Sequence, residues 1–317
     1  MTNMLFGKNL VSIDDISLQN LNLIFTRTEE MKKLVKEKGG DSRLKGKILA
    51  ALFFEPSTRT FSSFISAMQR LGGGIIPLNG MTNTSIEKGE SFEHTVKVFS
   101  TYADCLVIRH PQVGLPKKSC LYSTVPVINA GDGIGEHPSQ AIYDTYTIFK
   151  HFPHKKELIV SLVGDLKNGR TVHSLAKLLA KTNRKIHFNF ISPKILKMPE
   201  EIKRNVALYH HKIDETDKLS EKVGMSDVLY VTRVQKERFT KLIEYEMVKS
   251  YYQVDSQILK NAKKELIIMH PLPIAAGEIN TELDTDPRSI YLTSQLQNGL
   301  YVRMALLDLI LRKESNG

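Results

Sequence analysis

The feature that most constrains the fold is a regular alternation of short apolar runs with longer amphipathic stretches. The run KILAALFF at 47–54 is almost free of polar residues, which is typical of a strand buried on both faces of a parallel sheet. The stretch that follows, 57–71, instead repeats its apolar residues at helical spacing. Strands and helices that alternate in this way predict parallel sheets covered by helices.

The same alternation runs twice along the chain. We predict strands at 47–54, 72–78, 104–110, 125–129, 158–166, 185–192, 227–233 and 265–271, and helices at 17–38, 57–71, 91–102, 137–152, 170–182 and 294–313. A charged stretch without periodicity, HFPHKKE at 151–157, separates the two cycles. A length of 317 residues suits two domains of roughly 150 residues each. The sequence therefore predicts an α/β protein of two doubly wound parallel-sheet domains.

Composition and charge exclude several classes of protein. No apolar stretch reaches the ~20 residues of a membrane helix, and the N-terminus lacks the apolar core of a secretory signal. The two cysteines, Cys105 and Cys120, indicate neither a disulfide framework nor a metal site, so we expect a cytoplasmic protein. The net charge of +10 suits either nucleic acid or small anions. Because the basic residues are dispersed along the chain, we expect neither a nucleic-acid nor a membrane partner.

The segment FFEPSTRTF at 53–61 places hydroxyl and guanidinium groups where a strand gives way to a helix. The first turn of a helix has free backbone N–H groups and attracts anions. Ser57 alone is explained equally well as an ordinary helix cap. A cap needs only one hydroxyl, however, whereas this segment offers three hydroxyls and Arg59. We therefore favour phosphate binding over capping, although the glycines of a nucleotide-binding P-loop are missing.

Three further segments carry candidate functional residues. Arg109 ends a predicted strand, where an arginine is often only a surface charge, and His137 precedes a proline that favours a helix start. By itself His137 is explained best as part of a helix cap. The segment GDLKNGRTVH at 164–173 follows a strand but lacks the glycine spacing of a dinucleotide-binding loop. Arg170, at its helix start, suits a carboxylate instead.

Taken together, these segments resemble the aspartate/ornithine carbamoyltransferase family over almost the whole chain. The matching segments are FFEPSTRT (53–60), NTSIEKGES (83–91), VIRHPQ (107–112), NAGDGIGEHPSQ (129–140), GDLKNGRTVHS (164–174), VTRVQKER (231–238), MHPLP (269–273) and QNGLYVRMALL (297–307). The strings His-Pro-Leu-Pro and TRVQKER resemble the aspartate branch rather than the ornithine branch.

The resemblance implies a domain plan and a reaction. It implies a carbamoyl-phosphate-binding domain at 1–138, to which the C-terminal helix 294–317 returns, and an aspartate-binding domain at 139–293, the two joined by interdomain helices. The implied reaction is transfer of the carbamoyl group of carbamoyl phosphate to L-aspartate, an early step of pyrimidine biosynthesis. It requires no cofactor, no metal and no covalent enzyme intermediate.

The resemblance also implies roles for individual residues. Catalysis is expected of Arg59, Thr60, Arg109 and His137. Carbamoyl phosphate is expected to contact Ser57, Thr58, Arg59, Thr60, Ser85, Lys88, Arg109, His137 and Gln140. Aspartate is expected to contact Lys88, Arg170, Arg233, Gln235 and the carbonyls of Pro271 and Leu272. In the family, the loop with Ser85 and Lys88 reaches the site of a neighbouring subunit, so a homotrimer with shared active sites is expected, with regulatory chains as further possible partners.

One departure from the family pattern keeps alternatives open. Ile274 stands where the family usually has arginine after His-Pro-Leu-Pro, and the stretch 274–278 is one residue longer than usual. The change removes a charge and five donors, and is expected to loosen the loop or alter domain closure. A carbamoyltransferase for another amino acid, such as ornithine, is one alternative, although Arg170 and Arg233 would repel a cationic side chain. A non-catalytic binding relative is the other.

Overall fold

The computed structural model describes residues 3–82, 84–249, 251–275 and 277–313. Asn83 of the NTSIEKGES segment, Ala276 of the lengthened stretch and the last four residues of the expected C-terminal segment, 314–317, lie outside the described residues. Contacts divide the chain into two compact units: the first runs to Tyr143 and resumes at Gln297, and the second is Asp144–Leu296. The assignment of one substrate to each of the domains 1–138 and 139–293 stays a prediction.

The first unit contains a four-stranded parallel sheet. Its elements are α1 (Leu18–Lys38), β1 (Ile48–Phe53), α2 (Thr58–Arg70), β2 (Gly74–Asn79), α3 (Phe92–Tyr102), β3 (Cys105–His110), α4 (Leu115–Ser119), β4 (Val127–Asp132), the start of α5 (Pro138–His151) and most of α10 (Ser294–Leu311). The strand order is β2-β1-β3-β4, with every pair parallel. The order reverses between β1 and β3, and open α/β sheets bind ligands at the carboxyl ends of the strands at such a reversal.

The second unit contains a five-stranded parallel sheet. Its elements are the remainder of α5, then β5 (Glu157–Val163), α6 (Arg170–Ala180), β6 (Lys185–Ile191), α7 (Glu200–Ala207), β7 (Lys212–Thr216), α8 (Ser220–Val223), β8 (Val228–Val231), α9 (Leu242–Val248), β9 (Ile267–Met269) and the start of α10. The strand order is β7-β6-β5-β8-β9, again all parallel. The reversal here lies between β5 and β8.

Burial explains why these segments form these elements. Strand β1 is buried at all but its first residue, and α2 buries Phe64, Ala67 and Met68 on one face, as helical spacing requires. Helix α1 begins after Ser17, whose hydroxyl accepts a hydrogen bond from the Asn20 N–H at 3.0 Å, and ends at Gly39 in the left-handed conformation. The predicted α/β class with two parallel sheets is confirmed.

All eight predicted strands are present, but β7 and the short helices α4, α7, α8 and α9 have no counterpart among the predicted elements. Strand β7 has the sequence KIDET, lies at the edge of its sheet and has no fully buried residue. An edge strand of mixed polarity has no continuous apolar run, so no pattern marks it. No helix within the described ranges is both long enough and apolar enough to cross a bilayer.

Candidate active site

The segment Ser57–Thr60 lies where β1 gives way to α2, at the strand reversal of the first unit. Ser57 occupies the N-cap position, but its hydroxyl makes no capping hydrogen bond. The Ser57 N–H donates instead to Asn79 Oδ1 at 2.9 Å. Thr58 and Arg59 are exposed, and Thr60 is buried. Because the Ser57 hydroxyl is not used as a cap, the geometry favours the anion-binding explanation of this segment.

Arg109 lies beside this segment because its strand pairs with β1. In the parallel register Arg109 of β3 is opposite Phe53 of β1, and the Phe54 N–H donates to the Arg109 carbonyl at 2.8 Å. The Arg109 guanidinium forms an ion pair with Glu55, with Nη2 and Oε2 2.9 Å apart. The paired strand ends thus bring a guanidinium and the hydroxyls of the α2 N-terminus to one edge of the sheet.

His137 and Gln140 lie at the start of α5, and both are buried. Pro138 is the first residue of α5, as the sequence predicts. The Gln140 N–H donates to the His137 carbonyl at 3.1 Å, so the two residues share the first turn of the helix. A neutral imidazole is favoured over an imidazolium beside the positive end of a helix dipole.

The loop before His137 is held by a buried carboxylate that the sequence analysis missed. Asp132 Oδ1 accepts hydrogen bonds from the Glu136 N–H at 2.8 Å and from Asn129 Nδ2 at 3.1 Å, and its Oδ2 accepts from the Gly114 N–H at 2.7 Å. These bonds hold the end of β4 and residues 133–136, which follow it, in a compact turn. The turn fixes the position at which His137 enters its helix.

A glycine joins this turn to the end of β3. The Gly133 N–H donates to the His110 carbonyl at 2.9 Å, and Gly133 has a φ of 45°. A Cβ at this position would lie 2.5 Å from the Pro111 carbonyl oxygen, closer than a carbon atom can approach. Only glycine permits this close approach of the loop after β4 to the turn after β3.

Ser85 and Lys88 are placed differently from the other candidates of the first unit. They lie in a short 3₁₀ helix, Ser85–Lys88, between β2 and α3, and both are exposed. In the described part of the chain, neither side chain makes a hydrogen bond or an ion pair. The structure does not bring them into the hydrogen-bonded arrangement around Ser57, Arg109 and His137.

In the second unit, Arg170 is the first residue of α6, directly after the loop that follows β5. This loop passes very close to β8: the Cβ of an alanine at Gly164, where φ is 113°, would lie 2.2 Å from the Thr232 carbonyl oxygen. The contact sets the distance between the carboxyl ends of β5 and β8. Arg170 follows the first of these ends and Arg233 follows the second.

Gln235 and a second missed carboxylate connect the two strand ends. Asp165 is fully buried, and its Oδ1 accepts from the Asn168 N–H at 3.0 Å. Gln235 Nε2 donates to the Asn168 carbonyl at 3.2 Å. Burial raises the pKa of the Asp165 carboxyl above its ordinary value, although hydrogen bonds from Asn168 and Gln235 oppose this. Asp132 and Asp165 both follow glycine at the end of an apolar run, and this shared Gly-Asp pair is the sequence signal that could have found them.

Arg233 has a carboxylate partner on its own segment. Its guanidinium forms an ion pair with Glu237 four residues later, with Nη1 and Oε2 3.2 Å apart. Burial opposes ionisation of Glu237, but the hydrogen bonds from Arg233 outweigh it and hold the pKa of the Glu237 carboxyl below its usual value. Arg233, just after the end of β8, is therefore paired with an exposed acid.

The turn His270–Pro273 follows β9, the outer neighbour of β8. Pro271 and Leu272 are half-buried, and Leu272 has a φ of 57°, which is uncommon for a residue other than glycine. Leu272 and Ile274 both pack against the apolar cluster that lies under β8 and β9. The expectation that Ile274 loosens this loop stays a prediction. No group of three or more His, Cys, Asp and Glu side chains suited to a metal ion occurs among the described residues.

Comparison with protein families assigns the chain. The family model described as aspartate/ornithine carbamoyltransferase, carbamoyl-P binding domain, matches residues 8–150, and the model of the Asp/Orn binding domain matches residues 156–310. The chain belongs to the aspartate/ornithine carbamoyltransferase family. The resemblance inferred from the motifs is thereby confirmed.

Individual known proteins are similar along most of this chain. The aspartate carbamoyltransferase catalytic subunit of Thermococcus onnurineus is 45% identical over 305 residues, which are 96% of this chain and 97% of that protein. The multifunctional protein pyr1-3 of Dictyostelium discoideum is 44% identical over 97% of this chain, but the match spans only 14% of that longer protein. Aspartate transcarbamoylase from Trypanosoma cruzi, crystallised with carbamoyl phosphate and aspartate, superposes with a TM-score of 0.90 at 36% identity, covering 97% of this chain and 96% of that one.

Proposed function

We propose that this protein transfers the carbamoyl group of carbamoyl phosphate to the amine of L-aspartate, giving N-carbamoyl-L-aspartate and phosphate. One observation carries the proposal: the strand reversal of each unit presents the residue types that one substrate requires. The first has a helix N-terminus with hydroxyls and arginines, and the second has Arg170 and Arg233. The Trypanosoma cruzi relative binds these two substrates, which supports the proposal. We place the reaction in pyrimidine biosynthesis and in the cytoplasm.

In the first unit, the proposed phosphate site is the N-terminus of α2. The phosphate dianion accepts hydrogen bonds from the free N–H groups of the first turn, from the hydroxyls of Ser57 and Thr58 and from the planar fork of Arg59. Arg109 lies at the neighbouring strand end, where it can bridge the phosphate and the carbonyl oxygen of the same substrate. To do so, Arg109 exchanges its contact with Glu55 for the substrate anion.

The reaction needs a donor for the oxygen that gains charge. The aspartate amine attacks the carbamoyl carbon, the C=O electron pair moves to the oxygen, and the tetrahedral species then collapses with departure of phosphate and loss of a proton from nitrogen. Thr60, Arg109 and neutral His137 are the proposed donors to that oxygen, and Gln140 contacts the carbamoyl NH₂ group. Donors already aimed at developing charge are commonly worth about 3 kcal/mol each.

In the second unit, the proposed partners of aspartate are its two guanidiniums. Arg170 and Arg233 each suit one carboxylate, and Gln235 assists from the segment that follows β8. The carbonyls of Pro271 and Leu272 accept hydrogen bonds from the attacking amine and from the carbamoyl NH₂ group. Two arginines also argue against a cationic acceptor such as ornithine, whose side chain they would repel.

One assay decides between the candidate functions. The purified protein is incubated with carbamoyl phosphate and either L-aspartate or L-ornithine, and the ureido product is measured. Product with aspartate alone is expected. Product with ornithine would mean a different acceptor, and no product with either would support a non-catalytic relative. A bisubstrate mimic that joins a phosphonate to an aspartate-like diacid should bind tightly, and absence of binding would contradict the proposal.

We further propose that the working unit is a homotrimer in which Ser85 and Lys88 complete the site of a neighbouring subunit, with Lys88 contacting both substrates. Their exposure and lack of partners among the described residues support this role. Mixing the inactive variants Lys88→Ala and His137→Ala should restore about a quarter of the sites, because only some neighbours in a cyclic oligomer combine two intact halves. No restoration would mean that each subunit carries a complete site. A solution mass would reveal a trimer and any larger assembly with regulatory chains.

A further inference from the structure

Two turns in this protein share a local hydrogen bond that the proposed chemistry does not use. Strand β3 ends at His110, which is followed by Pro111 and Gln112, and β9 is followed by His270-Pro271-Leu272. In each turn the histidine Nδ1 accepts the backbone N–H two residues later, from Gln112 at 2.9 Å and from Leu272 at 2.8 Å. A side-chain acceptor of this kind holds the backbone in a turn, as asparagine does in an Asx-turn.

The geometry around His270 determines which ring nitrogen carries the proton. Because Nδ1 accepts from the Leu272 N–H, Nδ1 must present its lone pair, and the neutral ring carries its proton on Nε2. Nε2 lies 3.2 Å from Glu278 Oε1, so it donates to that carboxylate. His270 is 2% exposed and Glu278 is 4% exposed, which makes this a buried polar relay.

Glu278 is itself fixed by the core of the second unit. Its carbonyl accepts from the Val254 N–H at 2.9 Å, and the adjacent Ile279 belongs to the apolar cluster beneath β8 and β9. The carboxylate also accepts from the Ala275 N–H at 3.3 and 3.4 Å. Ala275, two residues after the turn, therefore contacts the same carboxylate that orients His270.

We propose that Glu278 and His270 are positioning residues for the acceptor substrate. The relay runs from the core through Glu278 Oε1 to His270 Nε2–H, and from His270 Nδ1 to the Leu272 N–H. It holds the turn in which the Pro271 and Leu272 carbonyls face the amine, so it acts on aspartate and not on carbamoyl phosphate. This inference rests on the proposed function for its substrate, but its structural part, the fixed turn, can be measured without turnover.

The variants His270→Asn, His270→Gln and His270→Ala separate the two ring contacts. The asparagine oxygen can replace Nδ1 as the acceptor for the Leu272 N–H, whereas glutamine reaches towards Glu278 and leaves that N–H without its acceptor. We expect His270→Gln and His270→Ala to lower kcat/KM for aspartate by about tenfold to a hundredfold, as small misplacements of substrate-positioning groups do. His270→Asn should retain clearly more activity, and KM for carbamoyl phosphate should stay within about twofold in all three.

Glu278→Gln keeps an oxygen acceptor for Nε2–H and should be milder than Glu278→Ala. His187→Asn is the matched control, because His187 also pairs with a carboxylate in this unit, with Nε2 3.0 Å from Asp214 Oδ2, but lies within β6. His187→Asn should change neither the KM for aspartate nor the KM for carbamoyl phosphate. Equal effects on both substrates, or no advantage of His270→Asn over His270→Gln at equal Tm, would overturn the inference.

Hydrogen exchange of the intact protein gives the readout that is independent of turnover. A peptide that covers the turn after β9 should exchange faster in His270→Gln and His270→Ala than in the wild type or His270→Asn. Unchanged exchange in all variants would refute the relay even if the enzyme is active. Faster exchange in His270→Gln and His270→Ala, in a protein whose wild type forms no product with either amine, would refute the proposed function and leave the relay supported.

Discussion

At the scale of single residues, two buried aspartates show how neighbours decide the ionisation of a carboxyl group. Burial raises the pKa of Asp165, although hydrogen bonds from Asn168 and Gln235 and the charge of nearby His173 oppose this. Asp227, with 1% of its side chain exposed, has Lys155 and Lys263 each 2.6 Å from Oδ1. Burial opposes ionisation there as well, but the two ammonium groups outweigh it and hold the pKa of Asp227 below its usual value.

The two aspartates should therefore respond to pH in opposite directions. The stability that Asp227 contributes is present above its unfolded pKa of about 4 and is lost as pH falls through its lowered folded pKa. We expect Asp227→Asn to lower the free energy of unfolding by about 2 kcal/mol at neutral pH, a loss that the partial exposure of the two lysines keeps moderate. Near about pH 2 the same substitution should lower it only slightly. Urea unfolding across pH measures this.

Asp165→Asn serves as the comparison. The folded pKa of Asp165 is raised, so its carboxyl stabilises the folded state most at low pH. The free energy of unfolding of the wild type should therefore fall relative to that of Asp165→Asn as pH rises through that raised pKa. Parallel pH profiles for the two variants would contradict the assigned directions. This contrast could not be predicted from the sequence, because both residues are simply an aspartate next to an apolar run.

At the scale of elements, function depends on the strand ends and on the tight contacts that place them. Gly133 and Gly164 each stand where a Cβ would overlap a backbone carbonyl of a neighbouring strand end, and both have a positive φ. Positive φ alone imposes a modest strain on an alanine, whereas overlap with backbone forces the strands themselves to move.

Gly164→Ala should therefore be much more damaging than a glycine replacement in open space. Gly46 has a φ of 84° and no atom within 4 Å of a built Cβ, so Gly46→Ala reports the strain alone. We expect Gly46→Ala to lower the free energy of unfolding by about 1 kcal/mol and Gly164→Ala to lower it by at least about 3 kcal/mol. Gly164→Ala should also weaken aspartate binding. Equal free energies of unfolding for the two variants would show that the contact between β5 and β8 yields easily.

The His-Pro-X turn after β3 gives a prediction for the donor substrate. The His110 ring packs beside Phe54 and Phe92, with centroid separations of 5.0 and 5.4 Å, and burial lowers the pKa of His110. His110→Gln removes the acceptor of the Gln112 N–H next to Arg109. We expect a rise of about tenfold in KM for carbamoyl phosphate and little change in KM for aspartate. His110→Asn should be milder, and a change in the aspartate KM alone would contradict the assignment.

At the scale of the whole molecule, the two units repeat one design that no sequence repeat reveals. Asp104 precedes β3, accepts from the Ile48 N–H at 2.9 Å and binds Lys47 Nζ at 2.8 Å. Asp227 precedes β8, accepts from the Ile159 N–H at 2.9 Å and binds Lys155 in the same way. In both units this aspartate connects the amino ends of the two strands whose carboxyl ends form the reversal. The contacts that stabilise the sheet and the groups proposed to bind substrate therefore lie at opposite edges of each sheet.

This division predicts that each ligand stabilises the protein through its own unit. Phosphate at about a hundred times its Kd should raise the free energy of unfolding by about 2.7 kcal/mol, which is visible as a higher Tm. An aspartate-like diacid at the same multiple of its Kd should have the same effect. Arg59→Ala should abolish the phosphate effect and leave the diacid effect, and Arg233→Ala should do the reverse. Arg204→Ala, on the exposed face of α7, is the control. Loss of both effects in either variant would mean that the sites are not separate.

The sequence by itself determined the strand and helix periods, the α/β class and the family. These follow from side-chain patterns a few residues long, since burial on a strand or one helix face repeats with a fixed period. It also marked Ser57–Thr60 and Arg170 as candidates, because their residue types suit anions, and the family resemblance added Arg109 and Arg233. The polar edge strand β7 was not predicted, because its side chains show no such period.

Only the tertiary structure decided which strand ends meet and which charges pair. The strand orders, the pairing of Arg109 with Glu55 and the relay from Glu278 to His270 join residues through space, and the identity of one partner says little about the other. A buried carboxylate or imidazole adopts whichever protonation state its neighbours stabilise, and those neighbours are chosen by the packing of whole elements. For this reason the chemistry of the strand ends was visible in the chain, while the network that holds them in place was not.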